Sequence, residues 1–285
     1  MKKKDTQIIT FQFTAEQEVI TRNFSEYMLQ EAPAGSFSIS NEYLRVPWQM
    51  DLVEFKLLGH FLSKLKRRKD NRSIDGSLIV RTSLKEIIKS VNGEAENSKY
   101  YMKVAHGLIQ KSVVEINNVV GAVIYNIDFN DLNNIEIRFN TAFSPFINGL
   151  AEHFTTIVLA YTYKFRSKYT YVLYTYLKSW ESTGKPQILT TQQLKTLFNL
   201  SKDDYCSKDG KFYRTEFERK TLVVACKEIN AHSDIMAGWG KFYEGQVEGQ
   251  KGRRRVRGYI FETLPNARNK IEDGYQTSIG DFGVE

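Results

Sequence analysis

Leu78-Ile79-Val80-Arg81-Thr82-Ser83-Leu84-Lys85-Glu86-Ile87-Ile88 is the stretch on which the fold turns. Its first three residues are a short apolar run, which reads as a strand. Thr82 and Ser83 can cap a helix, and Leu84, Ile87 and Ile88 then share one face of a short one. Towards the N-terminus, Leu52, Phe55, Leu58, Leu62 and Leu65 recur at spacings of three and four, which predicts a helix with one buried face after Pro47. Lys66-Arg67-Arg68-Lys69 closes it, where cations suit the negative end of the helix dipole. Towards the C-terminus, Gly93 marks a turn. A helix over 97–112 follows, with Tyr101, Val104, Ala105, Leu108 and Ile109 facing inward. Residues 119–129 and 135–139 read as two strands: Ile135, Ile137 and Phe139 alternate with Glu136 and Arg138, and the Asn-rich residues 130–134 make the turn. Helix, strand, helix–turn–helix, hairpin is the order of a winged helix.

The second half repeats that order. Tyr169, Val172, Leu173, Tyr176, Leu177 and Trp180 form a helical stripe. Ile188-Leu189 reads as the short strand, Thr190-Thr191 as the cap, and Leu194, Leu197 and Phe198 as the small helix. After a turn at 201–210 comes a long helix over 211–231, with Phe217, Leu222, Ala225 and Ile229 inward. Strands over 238–247 and 256–263 follow, joined by a glycine- and arginine-rich loop at 248–255. Leu84-Lys85-x-Ile87-Ile88 mirrors Leu194-Lys195-x-Leu197-Phe198, and Ala105-x3-Ile109 mirrors Ala225-x3-Ile229. The expected fold class is α+β, two tandem winged-helix domains. Pro33, Pro47, Pro145, Pro186 and Pro265 all fall outside the helical patterns and punctuate them. They suggest an N-terminal arm over 1–37, a first domain over 38–140, a linker over 141–150, a second domain over 151–265 and a flexible tail over 266–285. Within the arm, residues 14–31 form an amphipathic helix pattern carrying Ile20, Phe24, Tyr27 and Met28, either packed on its own domain or used for dimerisation.

At 285 residues with 41% hydrophobic content, the chain can bury two cores. A formal charge of +7 favours a polyanionic partner. In a helix–turn–helix the second helix can enter the major groove if its outer face donates to phosphates and base edges. The first such helix turns out Lys99, Lys103, His106 and Gln110, and the second Glu216, Arg219, Lys220, Val223 and Lys227. Lys211, Tyr213 and Arg214 fall in the first turn of the second helix. The loop between the last strands packs Lys251, Arg253, Arg254, Arg255 and Arg257 into seven residues without an acid. Arginine forks match phosphate, guanine or a narrow minor groove. Double-stranded DNA is the expected partner, and His106, Gln110, Tyr213 and all these lysines and arginines are candidate contacts.

Catalytic and cofactor signatures are missing. His60, His106, His153 and His232 are isolated, Cys206 and Cys226 form no metal-ligand spacing, and no Gly-rich Lys-Ser/Thr phosphate loop occurs. No catalytic residue, metal or cofactor is expected. Nor is a membrane span or signal peptide: no run reaches ~18 apolar residues, and Asp5, Thr6 and Gln7 stand where a signal peptide needs apolar residues. A soluble cytoplasmic protein is expected.

Ser40-Asn41-Glu42-Tyr43-Leu44 and the helix after it resemble the opening motif of the iteron-binding plasmid replication initiators, the tandem winged-helix Rep family. Phe154-Thr155, then Ser167-Lys168-Tyr169 leading through Leu173-Tyr174 to Leu177-Lys178, resembles that family's central signature. Phe217, Leu222, Ala225 and Glu228-Ile229-Asn230 look like its recognition-helix pattern. The resemblance spans roughly 38–263. It implies binding to direct repeats at a plasmid origin, opening of adjacent AT-rich DNA, and recruitment of a host initiator protein and replicative helicase. It further implies a monomer–dimer equilibrium in which the dimer represses its own promoter. Fold alone leaves a winged-helix transcription regulator open. A rolling-circle initiator that nicks DNA with a tyrosine is a third reading, against which the missing His-x-His ligands stand.

Overall fold

Each half of the chain closes a three-stranded antiparallel sheet in the same strand order. The computed structural model describes residues 35–65, 78–91, 97–147, 153–243, 255–267 and 269. The expected helix over 14–31, the cation run 66–69, most of the arginine loop and nearly all of the tail lie outside these residues.

The described chain opens with β1 (Ser36–Ser40) and the single turn α1 (Asn41–Leu44), then α2 (Leu52–Ser63). Asp51 caps α2, its carboxylate accepting from the Glu54 N–H while Glu54 reaches back to the Asp51 N–H. β2 (Leu78–Thr82), α3 (Leu84–Ser90) and α4 (Ser98–Lys111) follow. Ser83, not Thr82, caps α3; Thr82 ends the strand. β5 (Ile124–Asp128) and β6 (Ile135–Phe139) finish the sheet in the order β2-β6-β5. Between α4 and β5 a hairpin intervenes, β3 (Val113–Ile116) with β4 (Val119–Ala122), so the strand expected over 119–129 is broken at Val123. Its turn is Asn117-Asn118, both at positive φ (46° and 67°), a conformation that asparagine tolerates better than other non-glycine residues.

A 3-10 turn (Thr141–Phe143) runs into α5 (Ser144–Ile147). Pro145 therefore lies inside a helix after all, in the first turn, where its missing N–H costs nothing. β7 (Phe154–Val158), α6 (Leu159–Thr162) and α7 (Lys168–Glu181) lead to the second winged helix: β8 (Gln187–Thr190), α8 (Thr191–Leu197), α9 (Arg214–Glu218), a π turn (Arg219–Val223), α10 (Val224–His232), β9 (Ile235–Tyr243) and β10 (Val256–Pro265). Its sheet runs β8-β10-β9. In both modules the first strand pairs with the third, and the third with the second. The fold is α+β, two winged helices in tandem.

The modules are joined by more than a linker. β1 pairs with β7 in antiparallel register from Ser36↔Val158 to Ser40↔Phe154, and the Ser38 and Thr156 hydroxyls meet at 2.8 Å. Helices α2 and α7 were each expected to bury one face. Instead residues 54–62 of α2 are all buried, and so are residues 170–175 of α7. The reason is that the two helices meet at the junction: Phe55 stacks on Tyr171 (ring centroids 4.8 Å apart), while α7 packs its other flank on α10. Arg45 lays its guanidinium 3.5 Å over the Trp180 ring and donates to the Ser179 hydroxyl (3.0 Å) and carbonyl (2.7 Å). Lys56 donates to the Tyr163 carbonyl at 2.7 Å, and burial lowers its pKa to about 8. One continuous hydrophobic core includes both modules.

Candidate nucleic-acid interface

In the first module α4 occupies the second-helix position of the helix–turn–helix. Asn97 caps it, accepting from the Tyr100 N–H at 3.2 Å. Tyr101, Ala105 and Leu108 point into the core, which leaves Lys99, Lys103, His106 and Gln110 all exposed. The angle of α4 is set from behind. Lys111 Nζ lies 2.8 Å from each carboxylate oxygen of Glu54, a side chain only 5% exposed, and thereby ties α4 to α2. Gly107 faces the same carboxylate, and a Cβ there would come within 2.5 Å of Glu54 Oε1. Glycine leaves that carboxylate room against α4. Tyr100 and Met102 are also exposed, 46% and 47%, beside Lys99 and Lys103. The core stripe gave no hint of them because they lie off it.

In the second module the reading helix starts at Arg214 rather than 211. Lys211 is exposed in the preceding loop, where its carbonyl accepts from the Ser207 N–H, and Tyr213 precedes the helix, 46% exposed. Arg214 is half-buried, its guanidinium 5.6 Å from the Phe212 ring. That position supports the helix start from within and does not project freely outward. Arg219, Lys220 and Lys227 are exposed on one side, opposite the buried Phe217, Leu222, Ala225 and Ile229. Lys220 pairs with Glu216 at 2.6 Å, which holds that carboxyl below its usual range. The buried Thr221 hydroxyl donates to the Phe217 carbonyl four residues back at 2.6 Å, within the wide π turn. Such back-bonding competes with the backbone ladder and distorts helices locally.

The same helix is fastened to its wing. Glu218 is 7% exposed, accepts from the Tyr259 hydroxyl of β10 at 3.1 Å, and pairs with Lys241 of β9 at 3.0 Å. Burial and the Glu218 charge push the Tyr259 phenol well above its ordinary pKa. Arg255 and Arg257 are exposed where β10 begins, beside a register shift between Val256 and Gly258. Gly258 lies flush on β8, where a Cβ would stand 2.2 Å from the Leu189 carbonyl oxygen. Lys251, Arg253 and Arg254 lie outside the described residues. Among the described residues there is no group of three or more His, Cys, Asp or Glu that could hold a metal ion, and no helix long and apolar enough to cross a membrane.

A duplicated helix–turn–helix, each copy presenting a cationic helix with a wing beside it, defines a tandem winged-helix protein. Residues 37–178 match the family model described as Initiator Replication protein, WH1, and this part of the chain is an initiator WH1 domain. The matched segment continues through β7 and most of α7. The fold is shared with the crystal structure of the Pi initiator protein in complex with iteron DNA: TM-score 0.54 at 17% identity, covering 82% of this chain and 99% of that one. No curated protein sequence matches significantly.

Proposed function

We propose that the chain is a plasmid replication initiator that binds repeated double-stranded DNA sites with both winged helices. The observation that carries this reading is the repetition itself. Two modules with one strand order each turn a cationic second helix to solvent, and the first belongs to an initiator domain family. The Pi initiator, which has the same fold, is bound to iteron DNA in its crystal structure. On this reading Lys99, Lys103, His106 and Gln110 face one stretch of groove, and Arg219, Lys220 and Lys227 another. Lys211, Tyr213, Arg255 and Arg257 flank the second, with Lys251, Arg253 and Arg254 as the wing's phosphate contacts. Arg214 serves from behind. The two DNA-contacting modules divide at about 38–140 and 151–265. Recruitment of a host initiator protein and replicative helicase, and autorepression as a dimer in equilibrium with monomer, complete the reading on the family resemblance. The protein acts in the cytoplasm, by binding and without a chemical step of its own.

The test is a footprint on the DNA flanking the gene, followed by affinity against salt. Protection of a block of direct repeats is the expected result. Each phosphate contact contributes about −0.9 to the slope of log K against log salt, so changing Arg253, Arg254 and Arg255 together to alanine should flatten it by about 2–3. An unchanged slope removes the wing from the interface. Arg219→Ala with Lys220→Ala should narrow the gap between cognate and random DNA; equal losses on both would assign these residues to the backbone alone.

A further inference from the structure

Val223 stands out on the second reading helix. It is 47% exposed, yet it sits in the middle of the cationic face, four residues after Arg219, three after Lys220 and four before Lys227. A β-branched residue on an open helical surface loses rotamer freedom and gains nothing by burial, so the fold itself gives no reason for valine here. Its placement is also specific. It closes the π turn Arg219–Val223, which is wider than an α-turn. The acid on this face, Glu216, is already paired with Lys220.

A valine side chain has no donor or acceptor, so in a major groove it can recognise only an apolar group. The four bases offer one there, the C5 methyl of thymine. We infer that Val223 is a specificity-determining residue that packs against a thymine methyl in the DNA read by the second winged helix. The inference rests on the DNA-binding reading above and deepens it. Arg219, Lys220 and Lys227 hold the helix to phosphate and base edges, and Val223 chooses thymine over cytosine at one position between them.

The experiment replaces thymine by deoxyuridine, which keeps every hydrogen-bonding group and deletes only the methyl. A duplex enriched by the full-length protein from a random pool is resynthesised with uracil at each thymine in turn. Affinities are measured for the wild type and for Val223→Ala, an exposed substitution with better helix propensity. Burying one methyl group is a matter of about fourfold in affinity. The wild type should lose about that factor at one or two thymines, and Val223→Ala should bind thymine and uracil duplexes there alike. A wild type indifferent to uracil at every position overturns the inference while leaving DNA binding intact. So does a Val223→Ala protein that still discriminates, because another residue then reads the methyl. If no duplex is enriched at all, the DNA-binding reading falls, and the role of Val223 falls with it.

Discussion

Acid should weaken the first winged helix through a single histidine, and the size of the effect follows from the geometry around it. His60 lies in the middle of α2, 4% exposed, with Nε2 2.7 Å from the Thr82 hydroxyl. Thr82 spends its own hydrogen on Glu86 at 2.8 Å, so the imidazole must be the donor and its neutral form carries the proton on Nε2. Burial first, then the nearby Lys64 charge, lowers the His60 pKa from 6.5 to about 4. Below pH 6.5 the unfolded chain therefore takes up a proton that the folded chain refuses until about pH 4. Stability is full above that window and falls across it as pH drops. The complete loss corresponds to about 3 kcal/mol, of which about 2 kcal/mol is gone at pH 5. Glu86 adds nothing at pH 5. Burial would raise its carboxyl, but bonds from Lys64, Thr82 and Ser83 outweigh that and hold it at about 2, so its contribution is lost only below its unfolded value of 4.5. The assay is urea unfolding followed by tryptophan fluorescence at pH 7 and pH 5, for the wild type and His60→Gln, whose amide can still donate to Thr82. Burial also lowers His232, but that group is common to both proteins and cancels. The wild type should lose about 2 kcal/mol more than the variant between the two pH values. Equal losses would refute the assignment.

Other consequences concern the supports of the two reading helices and the junction. Gly107→Ala drives a methyl into the Glu54 carboxylate that Lys111 and the Asp51 N–H hold in place; it should cost about 1–3 kcal/mol by urea unfolding. Glu218→Gln removes the buried anchor between helix and wing and should cost about 1–2 kcal/mol, whereas adding Lys241→Met should cost less than the sum of the two single changes in a double-mutant cycle. Arg45→Ala should destabilise by about 1–2 kcal/mol and change the Trp180 emission. Arg45→Lys should not restore either, since lysine lacks the planar fork that stacks on the ring and bonds Ser179 together.

Periodicity made the helices and the strand order legible because each helix buries a face within its own module. It was blind to what came from outside the module. Tyr171 lies off the stripe that begins at Tyr169, and it is buried against Phe55 of the other module. The β3–β4 hairpin is not legible in the sequence because its turn, Asn117-Asn118, lacks the glycine that usually marks a two-residue hairpin. The Leu-Lys repeat was read correctly as register but hid a difference. Lys85 is exposed, whereas Lys195 is buried and donates to the Lys202 and Asp204 carbonyls, organising the turn before the second reading helix. For the interface, helical phase located the exposed cations but could not show that Arg214 turns inward onto Phe212. The π turn left no trace in composition either.

The pairing of β1 with β7 makes the protein a ruler. A strand ahead of the first module is zipped to a strand ahead of the second, and Arg45 and Phe55 lock the helices behind them, so the distance between the two reading helices is built in. On the DNA-binding reading, the two halves of each repeat must then keep one fixed helical phase. Five extra base pairs between them would turn one half to the far side of the duplex. Ten would restore its facing but put it beyond reach, and binding should suffer in both cases, whereas modules on a slack tether would forgive the second.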